Sequence, residues 1–165
     1  MSSSDRRTFL TLAAALPLAA CGFAPAYGPG GAASGLLGRV EIDAPSNKDQ
    51  FDLVERLEER LGRPSTAKYR LSYRVSVTEE GQAISRTNRT NRYQLIGTLS
   101  YTLHGAQNGK ALSSGKVSSF TAYSAFGTSV AAAASEADAR TRLMRILADQ
   151  LVTQLIATSA EWNQP

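Results

Sequence analysis

The sequence predicts an α+β fold. It is a two-layer sandwich, a four-stranded mixed sheet with two helices on one face, in the order β–α–β–β–β–α. Three observations carry this prediction. A capped apolar stripe at helical spacing follows Asn47. Two later segments, beginning at Tyr69 and Tyr93, alternate apolar and polar residues. The last third of the chain ends in a wide helical apolar face.

Each element has its own signature. Leu36–Ile42 reads as a short first strand, with Leu36, Val40 and Ile42 on one side and Arg39, Glu41 and Asp43 on the other. Asn47-Lys48-Asp49-Gln50 matches a capping box, Asn47 at the N-cap and Gln50 three positions on. Asp49 and Asp52 suit the positive end of the helix dipole. Phe51, Val54, Leu57 and Leu61 form the buried stripe, Gly62 ends the helix and Pro64 prevents continuation, so the first helix spans about Lys48–Leu61. Tyr69–Val77 alternates without error, and Tyr93–Leu103 repeats the pattern except for Ile96 on its polar side. Asn108-Gly109 marks a hairpin turn, and Val117–Ala125 reads as a fourth strand. The second helix spans about Ser135–Ala160, its apolar face running from Leu143 to Ile156; Val130–Ala134 either extends it or forms a separate turn. The β–α–β step implies a right-handed crossover. Both helices then cover one face of the sheet and leave the face rich in Ser, Thr, Gln and Arg open.

Composition narrows the function. A chain of 165 residues supports one domain with one modest core. At 42% hydrophobic and 19% charged it is neither disordered nor a polytopic membrane protein. One Cys excludes an intramolecular disulfide and a cysteine-based metal centre, and one His, His104, excludes a multi-histidine site. No metal, cofactor or catalytic constellation is expected. His104 precedes Gly105 and reads as a turn residue. Glu55, Glu58 and Glu59 share a helix with Arg56 and Arg60 and read as a solvated face rather than an acid–base pair. Tyr69, Tyr73, Tyr93 and Tyr101 fall on the apolar phase of their strands and read as core.

The N-terminus addresses the chain. Arg6-Arg7 precedes Phe9–Ala20, an apolar run interrupted only by Thr11 and far short of the ~20 residues a spanning helix needs. Asp5-Arg6-Arg7-Thr8-Phe9-Leu10 looks like a twin-arginine signal, with an ordinary secretory signal as the alternative. Leu18-Ala19-Ala20-Cys21 resembles a bacterial lipobox, with the Cys21 thiol as the lipid-attachment atom. Residues 1–20 are then a signal peptide, 21–35 a Gly- and Pro-rich lipidated tether, and 36–165 a single domain. Cleavage removes Asp5, Arg6 and Arg7, taking the net charge from +4 to 16 − 13 = +3. In the periplasm a basic chain meets anionic lipid or an acidic partner, not nucleic acid. Gly22 in place of Asp favours the outer membrane by resemblance to sorted lipoproteins.

Cys21-Gly22-Phe23-Ala24-Pro25-Ala26-Tyr27-Gly28 resembles the start of mature LptE-family lipoproteins in their alphaproteobacterial form. The segment Ile84-Ser85-Arg86 through Tyr93-Gln94-Leu95 is similar too. The resemblance covers most of Cys21–Ala160 and implies the same four-stranded, two-helix fold. It implies a non-enzymatic subunit of the lipopolysaccharide translocon. Such a subunit plugs a large LptD-type outer-membrane β-barrel, assists its assembly and contacts lipopolysaccharide. A membrane-anchored auxiliary lipoprotein of a periplasmic ABC-type lipid-transport system is the competing expectation.

The family's basic position between its second and third strands matches Arg86. A second basic position, before the last helix, has no counterpart, because Val130–Ala134 is uncharged. Arg86, Arg89 and Arg92 recur every three residues, separated by Thr and Asn. Planar guanidinium forks suit lipid A phosphates, while the plainer alternative is a solvated hairpin whose charge blocks edge aggregation.

The anchor has a direct test. Cys21→Ser removes the atom that carries the lipid, and two acyl chains are what hold such a domain at a bilayer. In cells lacking the barrel partner the variant is expected in the soluble fraction. Retention of Cys21→Ser in the outer-membrane fraction there would show that lipid is not the anchor.

Overall fold

The computed structural model describes Gly28, Gly31 and residues 33–84 and 90–162. Within the compact unit Gly35–Pro165 the elements are β1 (Val40–Ile42), α1 (Lys48–Leu61), β2 (Tyr69–Ile84), β3 (Thr90–Gly105), β4 (Ala111–Ser124) and α2 (Ser129–Trp162). The sheet runs in the order β1-β2-β3-β4, with β1 parallel to β2 and the other neighbours antiparallel. The α+β class, the element order and the mixed four-stranded sheet are those expected.

The boundaries differ in instructive ways. Leu36 is buried but is not on a strand. Gly38 sits at φ 66, a left-handed conformation that interrupts an extended chain, and its N–H donates to Leu61 O at 2.7 Å. The backbone before Val40 is thus committed to closing the end of α1. Gly62 (φ 77) faces it, and a Cβ there would lie 3.5 Å from Gly38 N. At the start of α1, Asn47 Oδ1 accepts from Gln50 N at 3.0 Å as the capping box requires. The Gln50 side chain, however, reaches Ser46 N at 2.9 Å rather than Asn47. Within α1, Phe51 is 58% exposed, and Leu53 takes its place beside Val54, Leu57 and Leu61 in the core.

The two central strands outrun their apolar pattern. β2 continues past Val77 through Glu79 and Glu80, because backbone pairing with β3 persists where the side chains no longer alternate. Register slips between β2 and β3 fall between Gly81 and Ala83 and between Ala83 and Ile84, and a slip between β3 and β4 falls between Leu103 and His104. β4 begins at Ala111, opposite His104, and not at Val117. The Ala-rich stretch joins α2, as the strong helix propensity of Ala favours. Thr128 caps it, its Oγ1 accepting from Ala131 N at 3.3 Å.

The core lies between one face of the sheet and both helices. Leu71, Leu95, Leu99, Tyr101 and Leu103 on the strands meet Leu53, Leu57 and Leu61 of α1 and Leu143, Met144, Leu147, Leu151 and Leu155 of α2. Gly97 sets the closest approach. A Cβ there would lie 2.9 Å from Leu147 Cδ1 and 3.0 Å from Leu143 Cδ2, so α2 rests directly on the β3 backbone. A second small residue, Gly115 on β4, leaves room for the Tyr101 hydroxyl, which would lie 2.8 Å from a Cβ. The far end of α2 is pinned by Trp162, edge-on to Tyr69 at 5.4 Å. Among the described residues no helix is long and apolar enough to cross a membrane.

Charges expected to be solvated instead tie the helices together. Arg56 Nε and Nη2 donate to the two carboxylate oxygens of Asp149 at 3.1 and 3.0 Å, and Arg60 Nη1 adds a third bond at 2.6 Å. The hydrogen bond to Asp149 is also the chief reason the Arg56 pKa rises. Arg140 of α2 reaches Asp49 of α1 at 3.2 Å. Asp52, almost fully buried, accepts from Lys48 Nζ at 2.9 Å and from Thr141 Oγ1 of α2 at 2.8 Å.

The neighbours Leu147 and Ile146 separate core from surface in one experiment. Leu147 is fully buried, whereas Ile146 is 37% exposed. Leu147→Asp is expected to cost on the order of several kcal/mol against a total stability of roughly 5–15 kcal/mol, abolishing cooperative unfolding. Ile146→Asp is expected to melt close to the wild type. A Leu147→Asp protein with a wild-type thermal transition would remove that side chain from the core.

Candidate functional site

With one face of the sheet covered, the other is the available surface. It is built from the alternate positions that do not enter the core. These are Arg70, Ser72, Arg74 and Ser76 on β2, Arg92 through His104 on β3, and Ser114 through Ser124 on β4. Arg74, Ser76, Ser100, Ser114, Lys116 and Ser118 are exposed. Arg70 Nε donates to Asp43 Oδ1 at 2.8 Å at the β1 side. This pairing, led by the hydrogen bond, raises the Arg70 pKa.

His104 lies at the end of β3, one ring nitrogen 3.2 Å from Ser72 Oγ and the other 3.2 Å from Gly109 O. That position serves the turn, as its sequence context predicted. Among the described residues no group of three or more His, Cys, Asp or Glu is placed to hold a metal ion. The open face offers cations, hydroxyls and a few apolar side chains, the chemistry of adhesion to phosphate, sugar or protein.

The sequence-predicted site residues divide. Cys21, Arg86 and Arg89 lie outside the described residues. Arg92, expected in a hairpin loop, is on β3 instead, opposite Ala83 of β2 and Ser124 of β4, and it is exposed. Its place in the ladder follows from the length of the β2–β3 hairpin, which continues beyond Arg92 to Thr90. Arg92 thus stands in line with Gln94, Ile96 and Thr98 on the open face.

The strands β3 and β4 also make side-chain pairings that the sequence pattern does not give. Tyr93 and Tyr123 stack at 5.3 Å on the covered side. Burial, helped by the nearby carboxylates of Glu79 and Glu136, pushes the Tyr123 hydroxyl up to about 12. Ile96 pairs with Phe120 across β3 and β4 on the open face, where Phe120 is 65% exposed. Just beyond β4, Phe126 and Val130 are 79% and 77% exposed. The signal for Phe120 was parity, since it shares its phase with Ser114, Lys116 and Ser118.

Comparisons with known proteins agree with this architecture. A lipoprotein from Caulobacter crescentus has a similar structure, with a TM-score of 0.66 and 28% identity over 81% of this chain and 98% of that one. The rare lipoprotein B of Shewanella oneidensis shares the fold, with a TM-score of 0.58 and 15% identity over 76% and 98% of the two chains. A minor lipoprotein of Acinetobacter baumannii does so at a TM-score of 0.57 and 19% identity over 73% and 92%. No curated protein matches the chain. The model of the LptE lipopolysaccharide-assembly family matches residues 37–155, from the turn before β1 to Leu155 in the packed part of α2, and the chain belongs to that family.

Proposed function

We propose that this chain is a lipid-anchored lipopolysaccharide-assembly subunit that plugs a large LptD-type outer-membrane β-barrel. It acts at the periplasmic face of the outer membrane, held by acylated Cys21 and the tether 21–35. It assists assembly of the barrel, contacts lipopolysaccharide in transit and catalyses no reaction. The observation that carries this reading is the family match across the core-forming residues. The open polar face supports it, because a plug must present hydrogen-bonding groups to a barrel interior without burying an unpaired charge. Affinity purification from detergent-solubilised outer membrane is expected to recover the barrel. Recovery of an inner-membrane permease in its place would assign the chain to an ABC-type lipid-transport system.

Arg86, Arg89 and Arg92 are the proposed phosphate contacts. Arg92 is exposed on β3, and Arg86 and Arg89 belong to the segment that joins β2 to β3. Replacing all three with Ala is expected to weaken lipopolysaccharide binding at least tenfold, equivalent to about 1.4 kcal/mol. The loss should shrink as salt is added, since screening already weakens the wild-type contacts. Titration of wild type and triple variant at two salt concentrations tests this. Equal affinities, with matching thermal transitions, would return the segment to a solvated hairpin.

A further inference from the structure

Phe126 and Val130 stand almost fully in solvent, at 79% and 77% exposure. Neither belongs to the hydrophobic core. Their position is dictated by the turn from β4 into α2. Gly127 takes φ 104, a conformation that side chains resist, and a Cβ there would meet nothing within 4 Å. Thr128 then caps α2, so Val130 lies in its first turn.

The strand end that leads into this segment carries positive charge. Arg92 is the Cα partner of Ser124, two residues before Phe126. A two-residue step spans at most about 7 Å. The first turn of α2 carries no acidic residue to offset the positive end of its dipole. Glu136, a turn further on, is bound by Arg140 at 2.9 Å. Glu80, on the open face of β2, is opposite Gln94 rather than Arg92. A protein partner matching this end would need acidic and apolar groups side by side. An anionic amphiphile has both in one molecule, with phosphates for Arg92 and hydrocarbon for the pair.

We infer that Phe126 and Val130 contact the acyl chains of the lipopolysaccharide whose phosphates meet Arg92. The segment between the last strand and the last helix then recognises this lipid by hydrocarbon contact rather than by charge. The inference rests on the lipopolysaccharide contact proposed above and deepens it. Burial of two apolar side chains against hydrocarbon strengthens binding only when acyl chains are present.

The test uses full-length lipidated protein held in amphipol. It is titrated with intact lipopolysaccharide and with the same material after complete deacylation, which keeps the sugar phosphates. The double variant Phe126→Ser/Val130→Ser is expected to lose at least tenfold in affinity for the intact lipid. Its affinity for the deacylated form should stay within twofold of wild type. Arg92→Ala is expected to weaken both. Because all three side chains are exposed, the variants should melt with the wild type.

Unchanged affinity of the double variant for intact lipid would overturn the inference. So would an equal loss for both lipid forms, which would mean that the pair shapes the turn rather than meeting acyl chains. Loss of barrel co-purification with lipid affinity intact would make the pair a protein contact and overturn it too. Binding to phosphatidylglycerol vesicles that is as tight as to lipopolysaccharide, and lost in the double variant, would replace the lipid with a bilayer surface. If the Arg variants lose affinity while the double variant does not, only this inference fails. If wild type binds neither lipid form, the lipid-contact reading fails with it.

Discussion

The fold depends on how closely α2 lies against β3. Leu143 and Leu147 occupy the space a side chain would take at Gly97, so the helix sits on the sheet backbone itself. Leu151 and Leu155 of the same helix join the core cluster, as do Leu53, Leu57 and Leu61 of α1. With both helices on one side, the opposite face has no cover from the described residues. The alternation along the strands makes one face oily and one polar, and Gly97 sets how closely α2 lies on the oily one. Close-packed interiors tolerate no slack there, because an added methyl group must displace two leucines or lift the helix.

The helices are held to each other by a different means. Arg56, Arg60 and Asp149 form a fork between them, with Asp52 and Thr141 closing the interface nearer the start of α1. Arg56 and Asp149 are only partly buried, retaining 29% and 36% side-chain exposure, so their contact contributes modestly. Their value lies in alignment. A leucine layer permits a helix to slide along its axis, whereas a bidentate carboxylate pair specifies one register. The sheet contributes its own check where Thr121 Oγ1 donates to Ala139 O at 3.0 Å, tying β4 to α2.

Periodicity made the elements legible. Alternation in Tyr69–Val77 and the stripe ending at Leu61 translated directly into a strand and a helix, because burial of one face enforces those repeats. What periodicity missed lay where side chains did not decide the structure. β2 extends through Glu79 and Glu80, paired with Leu95 and Gln94 of β3, and this moved Arg92 from a loop to a strand. Leu36 kept its burial but lost its strand to Gly38, whose left-handed conformation leaves no mark on hydropathy. Arg56 and Arg60 read as surface because their partner, Asp149, is about ninety positions away in the chain. The exposure of Phe126 and Val130 had no signal in the pattern, since both lie at a turn that falls outside either repeat.

The free edge of β4 governs how this domain is lost as well as how it is built. Among the described strands Ala111–Ser124 pairs with β3 alone, and Lys116 is its single charge, with no proline to spoil a second ladder. A strand of fourteen residues at the edge of the described sheet is a template for another chain once thermal motion loosens α2 beside it. Where such capture outpaces refolding, unfolding becomes irreversible. The practical lifetime of the isolated protein is then set by the rate of that opening and by concentration, and its apparent melting point shifts with the speed of the scan. A partner that occupies the edge lengthens that lifetime without adding a single contact to the core.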